Sequence, residues 1–465
     1  MFVGRKKELT LLSDKFSSPR TEVISLYGRR RVGKSQLIFE AAKAFAGIVI
    51  SYACYDSSYR QNLDALEAEV KKAAGNEFLH VSSLEEIILF LYDLSKEKPV
   101  LLAIDEYPYM REGEKTDSEI KNALDKINLK GAGNPFKFLL CGSSIDIMSI
   151  LDDEDMPLHG RLTARINLQE LNYLESACFY PNASPEEKIA YYGCFGGIPY
   201  FLMQIDEKKD FKGNIVDLYL SNHALLATEI RSQIDREVSK IEKAPAFLDI
   251  LRNKTLSYTD LLARFRSCFA SGNVDYCIRK LSSLGILEKV LDRQNNGSSR
   301  PYYRIKQNAF RFYYSYLNAP KANASLFDPE DYYDEFLSDA LQKEFLPAAF
   351  EGIAMEFLSI MNQKKRLPFR LVDLFSYSIH DPKTKANYQF DVVGKTKEGH
   401  LINFECKYRK TTISENAVEK EKRQAELADS SFTQTVFISK SSLEKETAPS
   451  YSIEDLFLLP AEGDK

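Results

Sequence analysis

The chain has 465 residues, of which 44% are hydrophobic and 28% are charged, the composition of an ordinary globular protein with several cores. Its net charge of −5 excludes a protein that binds nucleic acid over its whole surface, so any basic surface must be local. Seven scattered cysteines without a CxxC pair argue against a disulfide framework or a zinc cluster. No stretch approaches the roughly 18 apolar residues that a membrane helix needs, so we expect a cytoplasmic protein with no membrane partner.

Residues 1–165 are predicted to form an α/β core. Four apolar runs, EVISLYG, GIVISYAC, PVLLAIDE and FKFLLCGSS, alternate with helical patterns. The alternation of strands and helices along the chain favours a parallel sheet buried on both faces. Residues 166–240 have a helical pattern that is broken at GGIP, and they are predicted to form a helical lid.

The segment GRRRVGKS matches the phosphate-loop pattern GxxxxGK[ST], and it lies between a predicted strand and a predicted helix. Backbone N–H groups and a helix N-terminus surround nucleotide phosphates in that geometry. We expect Lys34 to reach the β- and γ-phosphates as a catalytic residue, and the Ser35 hydroxyl to bind Mg²⁺. The alternative is a strand–helix turn without a ligand. The predicted nucleotide-binding residues here are Gly28, Arg29, Arg30, Arg31, Val32, Gly33, Lys34, Ser35 and Gln36.

Two acidic residues end the apolar strand PVLLAIDEY, about 70 residues after the loop. Asp105 is predicted to complete the Mg²⁺ shell, and Glu106 to polarise the attacking water as a catalytic residue. The alternative is a polar strand end that meets solvent. The next strand ends at Ser143 and Ser144, either of which is a candidate to sense the γ-phosphate, although serines are also common in turns.

Residues 241–305 carry a local net charge of +5, from 11 Lys and Arg against 6 Asp and Glu. Helices near 245–252, 257–264 and 273–284, followed by a hairpin signal, predict a winged helix-turn-helix over 241–306. Arg279 and Lys280 on the third helix, with Arg293 and Arg300 beside the wing, are candidates to contact DNA phosphates. An interdomain packing module with a solvated basic face is the alternative. Residues 307–340 are aromatic and irregular, and they are predicted to be a linker or packing arm.

Residues 341–465 are predicted to form a helix (348–361), three strands (369–379, 387–394 and 400–408), a helix (415–428) and a strand (433–440). This order of elements resembles the core of PD-(D/E)XK nucleases. The acids of that core match Asp391 on the second strand and Glu405 on the third, with Lys407 two residues further on. Glu405 and Lys407 point to one face of their strand, and a hairpin brings Asp391 beside them.

Two neighbouring carboxylates repel each other unless a cation lies between them. We therefore expect Asp391, Glu405 and the Cys406 carbonyl to coordinate Mg²⁺, and Lys407 to act on the attacking water or the developing charge. Glu351 on the preceding helix matches the acid that often completes such a site. Further candidates are Glu356, as the alternative to Glu351, and Gln424; Phe390 stands where the family has proline. A half-solvated hairpin with a cross-strand ion pair is the alternative.

The N-terminal motifs resemble those of AAA-related, STAND-like ATPases, and more narrowly an archaeal-type ATPase family also found in bacteria. FVGRKKEL resembles the adenine-side box of the family, which implies nucleotide contacts for Gly4 and Arg5. LHGRLTARINLQEL resembles the stretch after the sensor strand, and YGCFGGIPYFL resembles the lid motif. The resemblance makes Arg161 or Arg165 a candidate arginine finger, with a surface salt bridge as the alternative for each.

The family resemblance extends over nearly the whole chain, since members carry a winged helix and a nuclease-like C-terminal domain. The first hypothesis is an enzyme with ATP and Mg²⁺ as cofactors, whose nucleotide state controls a metal-dependent DNA nuclease domain. The second is a regulatory ATPase whose silent nuclease-like domain binds DNA or a protein partner without cutting. The third is signalling through nucleotide-dependent assembly, for instance as a homo-oligomer.

Overall fold

The computed structural model describes residues 2–131, 133–269, 273–293, 299–318, 322–380 and 387–458. The chain divides into two units, which we call unit 1 (Met1–Glu170 with Ile198–Tyr200) and unit 2 (Leu171–Gly197 with Phe201–Asp464). The predicted winged helix, linker and nuclease-like domain, with most of the predicted lid, therefore lie in one unit. The finer boundaries at 165, 240, 306 and 340 stay predictions.

Unit 1 contains a five-stranded parallel sheet in the order β2-β3-β4-β1-β5. Its strands are β1 (Glu22–Tyr27), β2 (Ile48–Ala53), β3 (Val100–Asp105), β4 (Phe136–Gly142) and β5 (Ala164–Asn167). Every residue of β1 and β4 is buried, as expected for continuous apolar runs covered on both faces. The predicted α/β class with a parallel sheet is confirmed.

Six helices accompany this sheet: α1 (Lys6–Ser17), α2 (Lys34–Ala42), α3 (Tyr59–Ala74), α4 (Leu84–Leu94), α5 (Glu114–Leu129) and α6 (Ile145–Met148). Side chains of α1 and α2 form one core with the sheet, and those of α3, α4 and α5 form another. The start of α3 is stabilised by a capping box between Ser58 and Gln61, and its end by Gly75 in the left-handed region. The two layers hold the carboxyl ends of the strands at one edge.

Unit 2 contains an eight-stranded sheet in the order β13-β12-β11-β10-β9-β7-β8-β6. The strands are β6 (Leu256–Ser257), β7 (Leu287–Arg293), β8 (Ser299–Ile305), β9 (Leu371–His380), β10 (Asn387–Thr396), β11 (Leu401–Lys407), β12 (Phe432–Ser439) and β13 (Ser450–Ser452). β7 pairs with β9 in parallel through Asp292 and Arg293. This pairing joins the β7–β8 hairpin to the C-terminal strands, which the sequence did not indicate.

The helices that follow α6 in the chain are α7 (Tyr173–Ser176), α8 (Pro185–Phe195), α9 (Pro199–Leu202), α10 (Phe211–Ile215), α11 (Leu225–Val238), α12 (Ala244–Leu251), α13 (Tyr258–Cys268), α14 (Val274–Ser283), α15 (Asn308–Phe312), α16 (Pro329–Tyr332), α17 (Ser338–Ala340), α18 (Leu346–Gln363) and α19 (Glu415–Ala428). The three helices and hairpin predicted in 241–306 are present, and so are the helices and strands predicted after 341. Residues 307–340, predicted to be irregular, form mostly short helical turns with buried aromatic side chains in the part that the structure describes. Residues 294–298, at the tip of the predicted wing, lie outside the described residues.

Candidate functional sites

The phosphate loop connects β1 to α2, as the sequence predicts. Gly33 adopts a left-handed conformation (φ 97°) directly before the first turn of α2. A Cβ atom on Gly28 would stand 2.4 Å from the carbonyl oxygen of Leu168, so only glycine fits there. Lys34 is buried, and its Nζ donates to the carbonyl oxygens of Gly28 (3.0 Å) and Arg29 (2.9 Å). The ammonium group thus lies inside the curve of the loop, where a phosphate group would meet it.

The remaining predicted nucleotide residues surround this loop. Arg5, in the left-handed region beside Gly4, donates from Nη2 to the carbonyl oxygen of Val32 at 3.1 Å. Arg30 donates to the Tyr109 hydroxyl at 3.0 Å, a contact that the sequence did not indicate. Three further loop residues are the buried Arg29, the exposed Arg31, and Gln36, which bonds to Glu40. The N-terminal box therefore braces the loop through a hydrogen bond.

The acids at the end of β3 lie beside the loop. The Ser35 hydroxyl donates to Asp105 Oδ2 at 2.5 Å, and the Glu106 N–H donates to Asp105 Oδ1 at 2.9 Å. Glu106 has a left-handed backbone (φ 51°), and its Oε2 accepts from both the N–H (3.1 Å) and the hydroxyl (2.8 Å) of Ser143. The adjoining Ser144 is the N-cap residue of α6. Parallel strands bring these groups to one edge, and an adjacent hydroxyl and carboxylate suit Mg²⁺.

The two candidate arginine fingers are engaged in contacts within unit 1. Arg161 forms a two-point ion pair with Asp125 (2.9 and 3.1 Å), and Arg165 donates to the Ser149 carbonyl oxygen at 2.5 Å. Arg165 also forms an ion pair with Asp152 at 3.7 Å, so both arginines agree with the salt-bridge alternative that the sequence left open. Contact of either arginine with the γ-phosphate of a nucleotide stays a prediction.

Acidic side chains of unit 2 meet around Lys407. Val392 on β10 pairs with Phe404 on β11, so the next positions in the antiparallel register are Asp391 and Glu405. A β-bulge in β10 lies between Phe390 and Val393 on the side of β9, where such irregularities re-aim a side chain. The Cys406 N–H donates to the Asp391 carboxylate. The structure thus brings Asp391 and Glu405 together, as the hairpin pattern indicated.

Lys407 is held by two carboxylates. Its Nζ donates to Glu405 Oε1, and to Glu421 of α19 at 3.2 Å. Burial lowers the pKa of Lys407, but the charges of Glu405 and Glu421 outweigh burial and raise it overall. Burial raises the pKa of Glu405 and of Asp391, against the opposing effect of Lys407. The lysine therefore carries its proton and partly compensates the acids.

Glu351 on α18 is a third acid near Asp391 and Glu405. Burial, together with the charges of Asp391 and Glu405, raises the pKa of Glu351 to about 7, although Arg304 and Arg311 oppose the rise. The alternative acid, Glu356, is committed elsewhere, because it accepts from the Tyr173 N–H (3.0 Å) and the Tyr192 hydroxyl (2.8 Å). Glu351 is therefore the acid of α18 that faces the site. The carboxylate cluster, as we use the term, consists of Glu351, Asp391, Glu405, Glu421 and Lys407.

The carboxylate cluster fits the predicted Mg²⁺ site in its donor atoms but does not form a group of three metal ligands. In the described parts of the chain, no group of three or more His, Cys, Asp or Glu side chains is arranged to hold a metal ion. Mg²⁺ needs less, because it commonly keeps several waters and uses one or two carboxylates. The all-oxygen donors and the excess of buried negative charge fit that ion, with Asp391 and Glu405 as ligands. The Cys406 carbonyl as a ligand stays a prediction, while the half-buried Cys406 has its thiol 3.9 Å from the Phe404 carbonyl oxygen.

Several contributors to the cluster were not recognised from the sequence. Glu421 lies between Val418 and Ala425 at helical spacing, so an acid on the apolar stripe of α19 was a usable signal. Arg304 and Arg311 come from β8 and α15, and no local pattern links them to Glu351. Gln424, the weak candidate on α19, instead lines an open groove of about 370 Å³ together with Tyr388, Asn416, Glu419, Lys420, Arg423 and Leu427.

The predicted basic surface is exposed on α14 and β8. Arg279 and Lys280 are solvent-exposed on α14, and Arg300 is exposed on β8. The side chain of Arg293 lies outside the described residues. β6 pairs with β8, which in turn pairs with β7, so a three-stranded edge accompanies the three helices. None of the helices in the described ranges combines the length and apolar character that crossing a bilayer requires.

Comparisons with known proteins match two separate parts of the chain. Residues 2–205 match a family model described as an ATPase domain predominantly from Archaea. Residues 313–423 match a second model, described as archaeal and bacterial proteins of unknown function. An uncharacterized protein of Methanocaldococcus jannaschii is 25% identical over 384 residues, which cover 80% of this chain and 81% of that protein. An uncharacterized ATP-binding protein of the same organism is 55% identical over 38 residues, 8% of this chain and 64% of that protein.

Among solved structures, the Aeropyrum pernix ORC2 protein in ADPNP–ADP complexes is similar, with a TM-score of 0.44 and 13% identity over 73% of this chain and 96% of that one. Cdc6p from Pyrobaculum aerophilum gives a TM-score of 0.34 and 13% identity, over 73% of this chain and 94% of that one. The phosphate-loop geometry and the family match together support an ATP-binding ATPase domain, of a type found predominantly in Archaea, in residues 2–205.

Proposed function

We propose that the protein is an ATPase whose nucleotide state regulates a Mg²⁺-dependent, nuclease-like domain in unit 2 that acts on DNA. The carboxylate cluster is the observation that carries this proposal. Three neighbouring acids, the buried Glu405 and the half-buried Glu351 and Asp391, lie near Lys407, although desolvation disfavours their ionised forms. Such an arrangement is costly for stability alone, and it is typical of sites where a cation or a reacting phosphate provides the compensation.

The chemistry assigned to the cluster uses a few residues. Asp391 and Glu405 would hold Mg²⁺, which when bound supplies Lewis-acid polarisation of a phosphate oxygen. Lys407 keeps its proton beside Glu405 and would stabilise negative charge that develops on the phosphate. Glu351 would complete the acidic side of the site. Mg²⁺ commonly keeps several waters, so two carboxylates are enough protein ligands for it.

DNA is proposed as the substrate because of the basic module that precedes the cluster. We propose that α12, α13, α14 and the β7–β8 hairpin are a winged helix, with Arg279 and Lys280 positioned for phosphate contacts. Pairing of β7 with β9 ties the proposed wing to the sheet that carries Asp391 and Glu405. DNA bound along α14 would then be held at a fixed orientation relative to the cluster.

The test is a plasmid-nicking assay in Mg²⁺ or Mn²⁺, on the full chain, with ATP, ADP or no nucleotide. Asp391→Ala and Lys407→Ala should abolish metal-dependent nicking. Two matched controls on exposed neighbouring positions, Glu398→Ala and Lys410→Ala, should keep it. If no DNA substrate is cut with any metal and nucleotide, or if cutting survives in Asp391→Ala, the nuclease assignment is wrong.

A second candidate function is a regulatory ATPase whose nuclease-like domain binds DNA or a protein without cutting. The observation that favours it is the engagement of Lys407 by both Glu405 and Glu421, since a lysine held by two acids resembles a structural ion pair. This candidate predicts nucleotide-dependent DNA binding, weakened by Arg279→Ala with Lys280→Ala, without any nicking. Unchanged DNA binding in that double variant would contradict it.

A further inference from the structure

One residue of the phosphate loop has an unfavourable backbone conformation. Arg31 has φ 67°, in the left-handed region, where a side chain with a Cβ atom is disfavoured. It lies in the stretch whose N–H groups must face the phosphates. A residue that leaves this conformation would turn its peptide groups away from the ligand. Something has to hold Arg31 in place for the loop to be ready for nucleotide.

Tyr200 makes the contact that can hold it. The Arg31 guanidinium carbon lies 4.2 Å from the centroid of the Tyr200 ring, within the range of a cation–π contact. The preceding Pro199 approaches the loop as well, because its Cγ is 3.9 Å from where a Cβ on Gly33 would stand. Ile198–Tyr200 groups with unit 1, while the residues directly before and after it belong to unit 2.

We infer that Tyr200 is a positioning residue for nucleotide binding, which acts by holding Arg31 in its left-handed conformation and thereby orders the phosphate loop. The Tyr200 ring binds the Arg31 guanidinium in a cation–π contact, and the free energy of that contact offsets the backbone strain at Arg31. Nucleotide binding in turn favours the contact, because the two effects are reciprocal. The segment that senses the loop continues on both sides into unit 2. This inference rests on nucleotide binding by the loop, which Lys34→Ala tests separately.

A double-variant cycle on the full chain tests the inference, with affinity measured by titration of a fluorescent ATP analogue. Tyr200→Leu should weaken binding by about three- to tenfold, the size of one cation–π contact. Tyr200→Phe keeps the ring and should stay near wild type. In an Arg31→Gly background, where glycine adopts the conformation without strain, Tyr200→Leu should change affinity less than about twofold. Phe78→Leu, at a surface aromatic of unit 1, is the matched control.

A second comparison covers the case in which Tyr200→Leu does not fold. Arg31→Ala removes the cation but keeps the strain, whereas Arg31→Gly removes both, so the alanine variant should bind ATP more weakly. Equal affinities of these two variants would overturn the inference. The inference also fails if Tyr200→Leu weakens binding equally with arginine and with glycine at position 31, which would indicate direct contact with the nucleotide. If Lys34→Ala loses ATP binding but the cycle shows no coupling between positions 31 and 200, this inference is refuted while nucleotide binding by the loop stands.

Discussion

Replacing Glu351 by glutamine tests the electrostatics of the carboxylate cluster directly. Burial, with a smaller effect of Asp391, raises the pKa of this glutamate to about 7 from an ordinary value of 4.5. Arg304 and Arg311 counteract only part of that effect. The folded protein therefore retains a proton on Glu351 over a pH range in which the unfolded chain has released it. Glutamine is a neutral mimic of the protonated side chain.

The magnitude follows from linkage between protonation and folding. Below about pH 4.5 both states hold the proton, and Glu351 contributes no pH dependence. Between about pH 4.5 and 7 the unfolded state loses its proton first, so stability falls as the pH rises. The rise of the pKa from 4.5 to about 7 corresponds to a penalty of roughly 3.5 kcal/mol once both states are fully ionised, and to roughly 3 kcal/mol at pH 8, where the folded state still retains some protons. Glu351→Gln avoids that penalty.

Urea unfolding followed by circular dichroism is a suitable assay, because the chain contains no tryptophan to report by fluorescence. In EDTA, Glu351→Gln should match the wild type near pH 4.5 and exceed its free energy of unfolding by about 3 kcal/mol near pH 8. Glu446→Gln, at an exposed side chain, should leave stability nearly unchanged at both values. A glutamine variant that is less stable than wild type near pH 8 would refute the reasoning, since it would mean that the charged carboxylate is favourably held.

Three other predictions concern the two sites and the sheet of unit 2. Lys34→Ala should lose ATP binding, whereas Glu106→Gln should bind ATP but turn it over at least about a hundredfold more slowly; normal hydrolysis by both variants would disprove the assignment. Asn403 is fully buried on β11, and neither of its amide atoms has a hydrogen-bond partner among the described residues. Asn403→Leu should therefore raise the free energy of unfolding in urea by about 1–3 kcal/mol. A decrease would show that the amide is satisfied. Mg²⁺ should raise the Tm of nucleotide-free Lys34→Ala by a few degrees, an effect that Asp391→Asn should remove.

Local patterns predicted the elements well, because strand alternation and helical periodicity are properties of neighbouring residues. The sequence located β1, β3, β10 and β11 with their acidic or glycine-rich ends, and parallel or hairpin pairing then brought those ends together. It also placed α12, α13 and α14 correctly. These predictions needed no knowledge of distant contacts.

Contacts between distant segments were not predictable in the same way. The pairing of β7 with β9 joins residues 84 positions apart, as the match of Asp292 with Ser376 shows, and nothing in either strand alone specifies it. Arg304 and Arg311 act on Glu351 only because of that packing. The contact of Arg31 with Tyr200 likewise depends on the return of a three-residue segment to unit 1. Such contacts follow from tertiary packing, which overrides local preference.

Metal binding and cleavage are separate properties of the carboxylate cluster. Lys407 bonds to Glu405 and Glu421 and acts on Asp391, whereas Glu351 is influenced by Asp391, Glu405 and two arginines. The excess of negative charge in a poorly solvated place favours a bound cation whatever the domain does next. Cutting additionally requires that Lys407 leave one of its two acids, or share it, to act on a phosphate. If the domain binds Mg²⁺ and DNA without nicking, Asp391 and Glu405 still hold the metal. The missing activity is then explained by Lys407, which stays bonded to its two acids.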